Sequence, residues 1–569
     1  MNAQRLLQHF HRIAEAPDAV QRLRRFILDL AVRGKLVEQD PKDEPASELL
    51  KRIQAEKEQL FRDGKPRRPT EVSPIENGTV PFEIPGNWRW VRLIDVLAKL
   101  TDGTHHSPPN GETGDFMYVT AKNIKPEGVS LSGITSISGE IHRELFARCD
   151  PEKGDILYVK DGATTGVVTI NDLDEPFSML SSVALLKLPT GVYNRLLVAF
   201  LRSPFFYTQM RGFMKGAAIT RVTLKRMSPA LIPLPPLAEQ HRIVAKVDEL
   251  MALCDRLESA QAEQENRRDR LVAASLNRLN NGVDTDSFRE HAGFHLRHLP
   301  RLTTRREHIQ QLRQTILNLA VRGRLVPQEP KEEPVTALLQ RIDQDRAITA
   351  KIDRRAETDE QELLADELCW EVPPSWRWRG VADLALFIDY RGKTPAKEGS
   401  GVRLITAKNV RPGFINLEPE EFITEATYKT WMTRGLPRAG DILFTTEAPM
   451  GNAAVVRLDE KFGLAQRVIN FRPYGRLDPD FLVLQILSQP FQAILDRTAT
   501  GLTAKGIKAA KLKRLPLAVP PLAEQHRIVA KVDELMALCD RLQAQLTTTQ
   551  TESRRLLEAV LHEALAFAA

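Results

Sequence analysis

The amino-acid sequence predicts an α+β fold with two pseudo-symmetric repeats, each a mixed α/β domain followed by a long coiled-coil helix. The stretch PPLAEQHRIVAKVDELMALCDRL occurs at Pro235–Leu257 and again, unchanged, at Pro520–Leu542. The leading segment Gln21–Pro45 is similar to Gln310–Pro334. Between these anchors the copies have diverged, yet TAKN and then GDIL occur in both. Self-similarity of this kind indicates two copies of one structural plan.

The first element of each repeat is a helical region, residues 1–84 in the first copy. The sequence PKDEP ends its main helix, because proline cannot continue a helical run. The apolar residues that share one face at helical spacing are Leu23, Phe26, Ile27, Leu30 and Ala31. In the second copy, residues 281–371 combine a linker with the matching helical region.

The second element is a mixed domain, residues 85–235 in the first repeat and 372–520 in the second. Short apolar runs such as DILYVK and SSVALLKL are typical of strands, and the Pro- and Gly-rich stretch before the first domain is typical of a loop. The anchors are shared while the rest differs. We therefore expect a common scaffold with different surfaces.

The third element is a long helix, residues 236–280 and 521–569, which begins at a double proline suited to a first helical turn. Its apolar residues recur every three or four positions and form a narrow seam typical of a coiled coil. The seam residues are Ile243, Val247, Leu250, Cys254, Leu257, Ile528, Val532, Leu535, Cys539 and Leu542. An amphipathic helix packed on its own domain is the alternative. Identity on both faces favours identical surroundings for each copy, either the other copy or a shared partner.

Composition excludes several classes of protein. The 569 residues carry 80 Lys and Arg against 74 Asp and Glu, and the hydrophobic content of 42% is that of globular domains. The four cysteines form no CxxC pair, so neither a disulfide framework nor a cysteine zinc site is expected. The linker histidines His291, His295 and His298 lack companion ligands, and we expect no metal site. Without a signal peptide or an apolar span, the chain is expected to be cytoplasmic, with no membrane partner.

Motifs for catalysis are missing from the sequence. Gly392-Lys393-Thr394 resembles the end of a phosphate-binding loop, but Phe387 stands where that motif requires glycine. Ser107-Pro108-Pro109-Asn110 approaches an adenine-methylation loop but ends in Asn instead of an aromatic residue that could stack on a flipped base. We therefore expect no catalytic residue and no enzymatic activity in this chain.

Each repeat has a basic edge, a segment without acidic residues that ends at the double proline. These edges run from Ser203 to Leu237 and from Arg497 to Leu522. The candidate phosphate contacts on them are Arg211, Lys215, Arg221, Lys225, Lys505, Lys508 and Lys511. A solvated basic face is the alternative. Two unlike domains with equivalent basic edges predict a protein that reads an asymmetric, bipartite target in double-stranded DNA, since equal domains would read a palindrome.

These residues resemble a known family, the specificity subunits of type I restriction-modification systems. The resemblance is carried by PPLAEQHRIVAKVDEL after each domain, by TDGTHHSPP and DYRGKTP ahead of TAKN and GDIL, and by AVRGKLV and AVRGRLV in the leading segments. It implies a non-catalytic DNA reader with two target recognition domains, residues 85–235 and 372–520. It also implies two partner modification subunits that hold S-adenosylmethionine and methylate adenine, and a restriction subunit that uses ATP and Mg. This chain itself would bind no cofactor.

Within the two domains, base reading is expected where the copies differ. The candidates are Thr104, His105, His106, Lys160 and Asp161 in the first domain and Tyr390, Arg391, Lys393, Thr446 and Glu447 in the second. Lys122, Asn123, Lys408 and Asn409 follow strands in both copies, and their sameness favours phosphate contact or folding over sequence reading.

Two other functions stay open at this point. The same reader could serve a methylation-only system or a fused methylase-nuclease. A self-contained DNA methyltransferase with a diverged cofactor site is the alternative from a different class.

Overall fold

The computed structural model divides the chain into two compact units, Met1–Gln264 with Thr549–Ala569 (unit 1) and Glu265–Thr548 (unit 2). The structure describes residues 16, 18–64, 73–75, 80–214, 221–281, 285–353, 356, 363, 370–390, 395–501 and 505–567.

Within its described residues, unit 1 combines short helices with four small sheets. Its helices are α1 (Ala19–Val32), α2 (Ala46–Arg62), α3 (Gly139–Arg148), α4 (Asn194–Leu201), α5 (Pro204–Phe213) and α6 (Leu224–Met227). Its strands are β1 (Arg89–Arg92), β2 (Lys99–Asp102), β3 (Phe116–Val119), β4 (Ile124–Lys125), β5 (Gly128–Val129), β6 (Thr135–Ile137), β7 (Ile156–Val159), β8 (Val168–Ile170), β9 (Phe177–Met179), β10 (Val183–Lys187) and β11 (Leu231–Leu234). The long helix α7 (Leu237–Asn281) follows.

Unit 2 repeats this plan. Its helices are α8 (Thr285–Leu302), α9 (Arg306–Val321), α10 (Val335–Ile352), α11 (Val381–Leu384), α12 (Glu425–Trp431), α13 (Pro479–Leu487), α14 (Gln489–Thr498) and α15 (Ala509–Lys513). Its strands are β12 (Arg377–Gly380), β13 (Ala385–Asp389), β14 (Val402–Ile405), β15 (Val410–Arg411), β16 (Phe414–Ile415), β17 (Phe422–Ile423), β18 (Ile442–Thr445), β19 (Ala453–Val455), β20 (Phe462–Leu464), β21 (Val468–Pro473) and β22 (Pro516–Val519). The second long helix is α16 (Leu522–Phe567).

The central sheet of unit 1 has the antiparallel order β2-β10-β7-β8, and unit 2 has the equivalent order β13-β21-β18-β19. Successive side chains of a strand point to opposite faces. Accordingly, Ile156 and Tyr158 of β7 enter a core formed with α2 and α4, whereas Leu157 and Val159 enter a core formed with β3 and β9. Burial on both faces explains why these strands are uninterrupted apolar runs in the sequence.

Each domain is closed by a pair of strands at its two ends. β1 pairs antiparallel with β11, so that Arg89 lies opposite Leu234 and Arg92 opposite Leu231. β12 pairs with β22 in the same manner. The chain therefore enters and leaves each domain at one place, directly before the long helix.

The seam of each long helix packs against the leading helix of its own repeat. Ile243, Val247 and Cys254 are buried in a cluster with residues of α1, Trp88 and Phe200, and Leu250 and Leu257 pack against the cluster. In unit 2, Ile528, Val532, Cys539, Leu535 and Leu542 meet α9, Trp376 and Phe481 in the same way. We predicted the other long helix or a shared partner as the surroundings, and for these residues that expectation was wrong. The leading helices are themselves repeated, and they supply the identical surroundings.

The predicted linker between the repeats is largely helical, because α8 covers Thr285–Leu302. Of its histidines, His295 is buried and lies 3.0 Å from the Ser275 hydroxyl through Nδ1, while the His298 ring contacts Phe294. Burial lowers the pKa of His295, which favours the neutral ring.

The RGK and RGR sequences of the leading segments cap the far ends of the long helices. Lys35 Nζ donates to the carbonyl of Leu565 at 2.8 Å in unit 1. Arg322 and Arg324 donate to the carbonyl of Asn280 at 2.9 and 3.1 Å in unit 2. Cations at a helix C-terminus satisfy free carbonyls and complement the helix dipole. The AVRGKLV and AVRGRLV sequences thus stabilise the ends of α16 and α7.

A buried glutamate anchors the start of each long helix through side-chain hydrogen bonds. Glu239 is fully buried and accepts hydrogen bonds from Trp88 Nε1 (2.9 Å) and Gln39 Nε2 (2.6 Å). Glu524 accepts the equivalent bonds from Trp376 and Gln328. Burial raises the pKa of both carboxyl groups, and the hydrogen bonds oppose that shift. The repeated Trp and Glu residues therefore join leading segment, domain and helix.

Candidate nucleic-acid interface

A charged network lies where two strands of the central sheet of unit 1 end. Asp102 is the last residue of β2, and Lys160 follows β7 directly. Lys160 Nζ lies 3.3 Å from Asp102 Oδ2 and 3.3 Å from Asp161 Oδ2. Both the lysine, 1% exposed, and Asp102 are buried. A buried cation needs such partners to offset its lost hydration. Lys160 is therefore internal, which corrects its prediction as a base-reading residue.

The network ends in exposed side chains. Arg148, at the end of α3, donates to Asp102 Oδ1 at 2.7 Å, and His105 Nε2 lies 3.2 Å from Arg148 Nη2. On the other side, Arg221 Nε lies 3.3 Å from Asp161 Oδ1. The buried Asp102 and the partly buried Asp161 thus hold three exposed side chains that can face a polyanion.

The loop after β2 is held closely to the scaffold. The Thr104 hydroxyl donates to the His106 carbonyl at 3.0 Å and accepts from the His106 amide at 3.3 Å. A Cβ on Gly103 would stand 1.9 Å from the Met179 carbonyl oxygen, so only glycine fits there. Thr104 shapes the turn, while His105 and His106 are exposed at its tip.

The TAKN motif has a structural asparagine and an exposed lysine in both units. Asn123 is fully buried, accepts from the Thr120 amide at 3.1 Å and donates to the Ser130 carbonyl at 3.1 Å. Asn409 makes the equivalent bonds to Thr406 and Asn416. A buried amide with its hydrogen bonds satisfied inside the protein has no role in reading an adenine, so these two predicted contacts are corrected to folding roles.

In unit 2 the equivalent positions carry different chemistry. Tyr390 is 3% exposed, and its hydroxyl donates to the Gly435 carbonyl (2.9 Å) and accepts from the Arg434 amide (2.8 Å). Thr446 stands where unit 1 has Lys160 and is also buried. Neither side chain reaches the surface, which corrects both as base-reading candidates. Glu447 is partly exposed and its Oε1 lies 2.7 Å from Arg467 Nε.

The basic edges present their cations to solvent. Arg211 and Lys225 are exposed in unit 1. In unit 2 Lys508 is exposed, and the exposed Lys505 pairs with Asp496 at 2.7 Å. The predicted site residues that are exposed are His105, His106, Lys122, Arg211, Arg221, Lys225, Lys408, Lys505, Lys508 and Lys511. Lys215, Arg391 and Lys393 lie outside the described residues.

Sequence reasoning missed Asp102, Arg148 and Arg467. An acidic residue ends the strand in both copies, Asp102 after KLT and Asp389 after ALFI, and that match could have revealed the first. Arg148 has no local signal, because its partner lies 46 residues earlier in the chain.

Among the residues that the structure describes, no cluster of three or more His, Cys, Asp or Glu has the arrangement of a metal site, and no helix is long and apolar enough to cross a membrane. The cysteines within these ranges, Cys149, Cys254 and Cys539, are free and buried.

The fold defines a class, a protein built from two related α+β domains, each followed by a long helix. A model of the Methylase_S family, described as the type I restriction modification DNA specificity domain, matches residues 85–265 and 412–549, more than half of the chain. The chain therefore belongs to the family of type I restriction-modification specificity subunits.

Individual proteins are similar to this chain over most of its length. The EcoAI specificity subunit of Escherichia coli is 29% identical over 96% of this chain and 94% of its own length. The EcoEI subunit of the same species is 28% identical with the same coverage. Among solved structures, the HsdS subunit of Thermoanaerobacter tengcongensis is 20% identical and covers 86% of this chain and 99% of its own, with a TM-score of 0.44.

Proposed function

We propose that this subunit reads an asymmetric, bipartite DNA target, one half with each domain, and that it does so without catalysing a reaction itself. The observation that carries the proposal is the acid-anchored cluster at the strand ends. The backbone pairing that positions this cluster is the same in both units, whereas the side chains on it differ. Lys160, Asp161 and Arg221 in unit 1 are replaced by Thr446, Glu447 and Gly506 in unit 2, according to the strand and bridge pairing.

The charged residues of the interface fall into two groups, one suited to phosphate contact and the other to base contact. The exposed cations of the basic edges other than Arg221, which lies beside Asp161, can neutralise phosphates, which supplies affinity without sequence information. The exposed side chains around Asp102 and Glu447 differ between the units and can contact base edges. A common scaffold with unlike reading groups gives two unlike half-sites.

The partners in this proposal are two modification subunits, which would hold S-adenosylmethionine and methylate adenine. A restriction subunit that uses ATP and Mg would join through them. Because the seams are buried inside the chain, the modification subunits would dock on the solvent-facing side of the repeated helix segment. Glu249, Ala252 and Arg256 are exposed there, as are their identical counterparts Glu534, Ala537 and Arg541.

The purified chain alone is expected to transfer no methyl group to DNA from labelled S-adenosylmethionine and to leave DNA uncut. The physical reason is the lack of a base-stacking loop and of a cofactor turn in its sequence. Addition of the modification subunits should restore methyl transfer to the same DNA. Methylation by the chain alone, or tight binding of S-adenosylmethionine in equilibrium dialysis, would favour the self-contained methyltransferase.

A further inference from the structure

The acidic residue that follows the GDIL strand holds an arginine in both units. In unit 1, Asp161 Oδ1 lies 3.3 Å from Arg221 Nε. In unit 2, Glu447 Oε1 lies 2.7 Å from Arg467 Nε. The two arginine side chains are 48% and 46% exposed. Each arginine is held at one point by the acid, and about half of its side chain is exposed to solvent.

The two arginines come from different segments of the domain. The amide of Lys160 donates to the Ser182 carbonyl, whereas the amide of the equivalent Thr446 donates to the Arg467 carbonyl, both at 2.9 Å. Arg467 therefore occupies the position of Ser182. Asp161 forms an isolated antiparallel β-bridge with Arg221, whereas Glu447 forms the equivalent β-bridge with Gly506. Unit 2 therefore has glycine at the position where unit 1 has its arginine. The acidic position that both units share is thus paired with an arginine from a different segment of the domain in each unit.

The backbone at Arg467 is held in an unfavourable conformation. Its φ is +75°, in the left-handed region that non-glycine residues rarely adopt, while Ser182 has no positive φ. Thr446 supports this conformation, because both its amide and its hydroxyl donate to the Arg467 carbonyl, at 2.9 and 3.3 Å. Strain that the surrounding structure maintains concentrates at functional sites. The change from Lys160 to Thr446 thereby has a physical reason: threonine positions the arginine.

We infer that Arg221 and Arg467 each read a guanine, and that the segment supplying the arginine sets which base pair of the half-site is read. This inference rests on the proposed function. In both units the acid lies beside Nε, at 3.3 Å in unit 1 and 2.7 Å in unit 2, on the side of the guanidinium away from one of the two terminal nitrogens. The terminal pair Nη1 and Nη2 makes the bidentate contact to O6 and N7 of guanine. The carboxylate also limits side-chain freedom before binding, which reduces the entropic cost of the contact.

The test uses the full chain assembled with its modification subunits in cells, with methylated adenines mapped across the genome. R467G is the informative variant, because glycine accepts the positive φ without strain. One base pair of the half-site read by unit 2 should lose its preference for guanine by about 5- to 150-fold. The half-site of unit 1 should be unchanged. R221A should have the converse effect.

Three further variants separate base reading from charge. R467K keeps the charge but lacks the planar fork, so it should relax the same base pair. E447Q/R467G removes the unpaired acid, so repulsion of phosphate cannot mimic the effect. K508A, on the basic edge, should lower methylation at all sites with the motif unchanged. A uniform fall for R467G, or no change, would overturn the inference. If the unmodified complex yields no bipartite motif, the proposed function itself fails.

Discussion

Exchange of residues 85–235 for the corresponding domain of a relative is expected to change one half of the DNA target completely and to leave the other half intact. The reason lies in how the domain is closed. β1 and β11 pair with each other in register from Arg89 and Leu234 to Arg92 and Leu231. A transplanted domain that includes both strands therefore keeps its own hydrogen-bonded pairing of β1 with β11.

The exchange has packing requirements outside the transplanted segment, because α2 packs in one core of the domain and both α1 and α7 pack on its Trp88 and Phe200. Leu49 and Ile53 of α2 are buried in the core of the first domain. The donor therefore needs apolar residues at the facing positions, since a mismatch would leave a cavity or an overlap. The reciprocal exchange of residues 372–520 is the control and should change the other half. A change in both halves from either exchange would contradict independent reading.

The variant D383A is expected to lower the free energy of unfolding of unit 2 by about 3–5 kcal/mol. Asp383 is 1% exposed and its Oδ1 lies 2.8 Å from Nη1 of the buried Arg346. Its Oδ2 also accepts from the Gly380 amide at 3.0 Å. Removal of the carboxylate leaves the buried Arg346 with the half-exposed Asp343, 3.3 Å from its Nη2, which compensates the buried charge only weakly.

Unit 1 provides the matched control. Its Lys57, at the position of Arg346, donates to the backbone carbonyls of Ile94 (2.6 Å) and Asp95 (3.1 Å). These carbonyls survive in D95A, which should cost only about 1 kcal/mol for the lost cap on the Arg92 amide.

Unfolding of a chain with two units need not be two-state, so local stability is best measured by hydrogen exchange at amides of β12 and β13 against β1 and β2. The double variant R346M/D383L should lose less stability than D383A, because no charge is left unpaired. Equal effects of D383A and D95A would show that the buried pair contributes nothing beyond the cap.

Periodicity in the sequence was enough to locate α1 and the two long helices with their apolar faces, but it did not reveal α8 in the predicted linker. Ile243 and Val247 do lie on the buried face of α7, because their spacing of four places them on one side of any helix. Periodicity contains no information on which surface covers that face. The covering helix α1 could have been chosen only by noting that it, too, is repeated.

The site shows the same limit at the level of single residues. Divergence between the copies predicts Lys160 as a base-reading residue, and a position directly after a strand predicts a DNA contact for Asn123. Both side chains are buried instead. Lys160 forms an ion pair with Asp102, and Asn123 accepts a hydrogen bond from the Thr120 amide. Contacts between distant segments, such as that between Arg148 and Asp102, depend on sheet order. The order β2-β10-β7-β8 is not encoded in any local pattern.

The most direct test of the central claim is a map of methylated adenines in DNA from cells that express this chain together with its modification subunits, compared with cells that lack this chain. The account predicts a single motif that appears only with the chain and has two unlike half-sites separated by a fixed number of unspecified base pairs. A palindromic or continuous motif, or the same methylation without the chain, would contradict it.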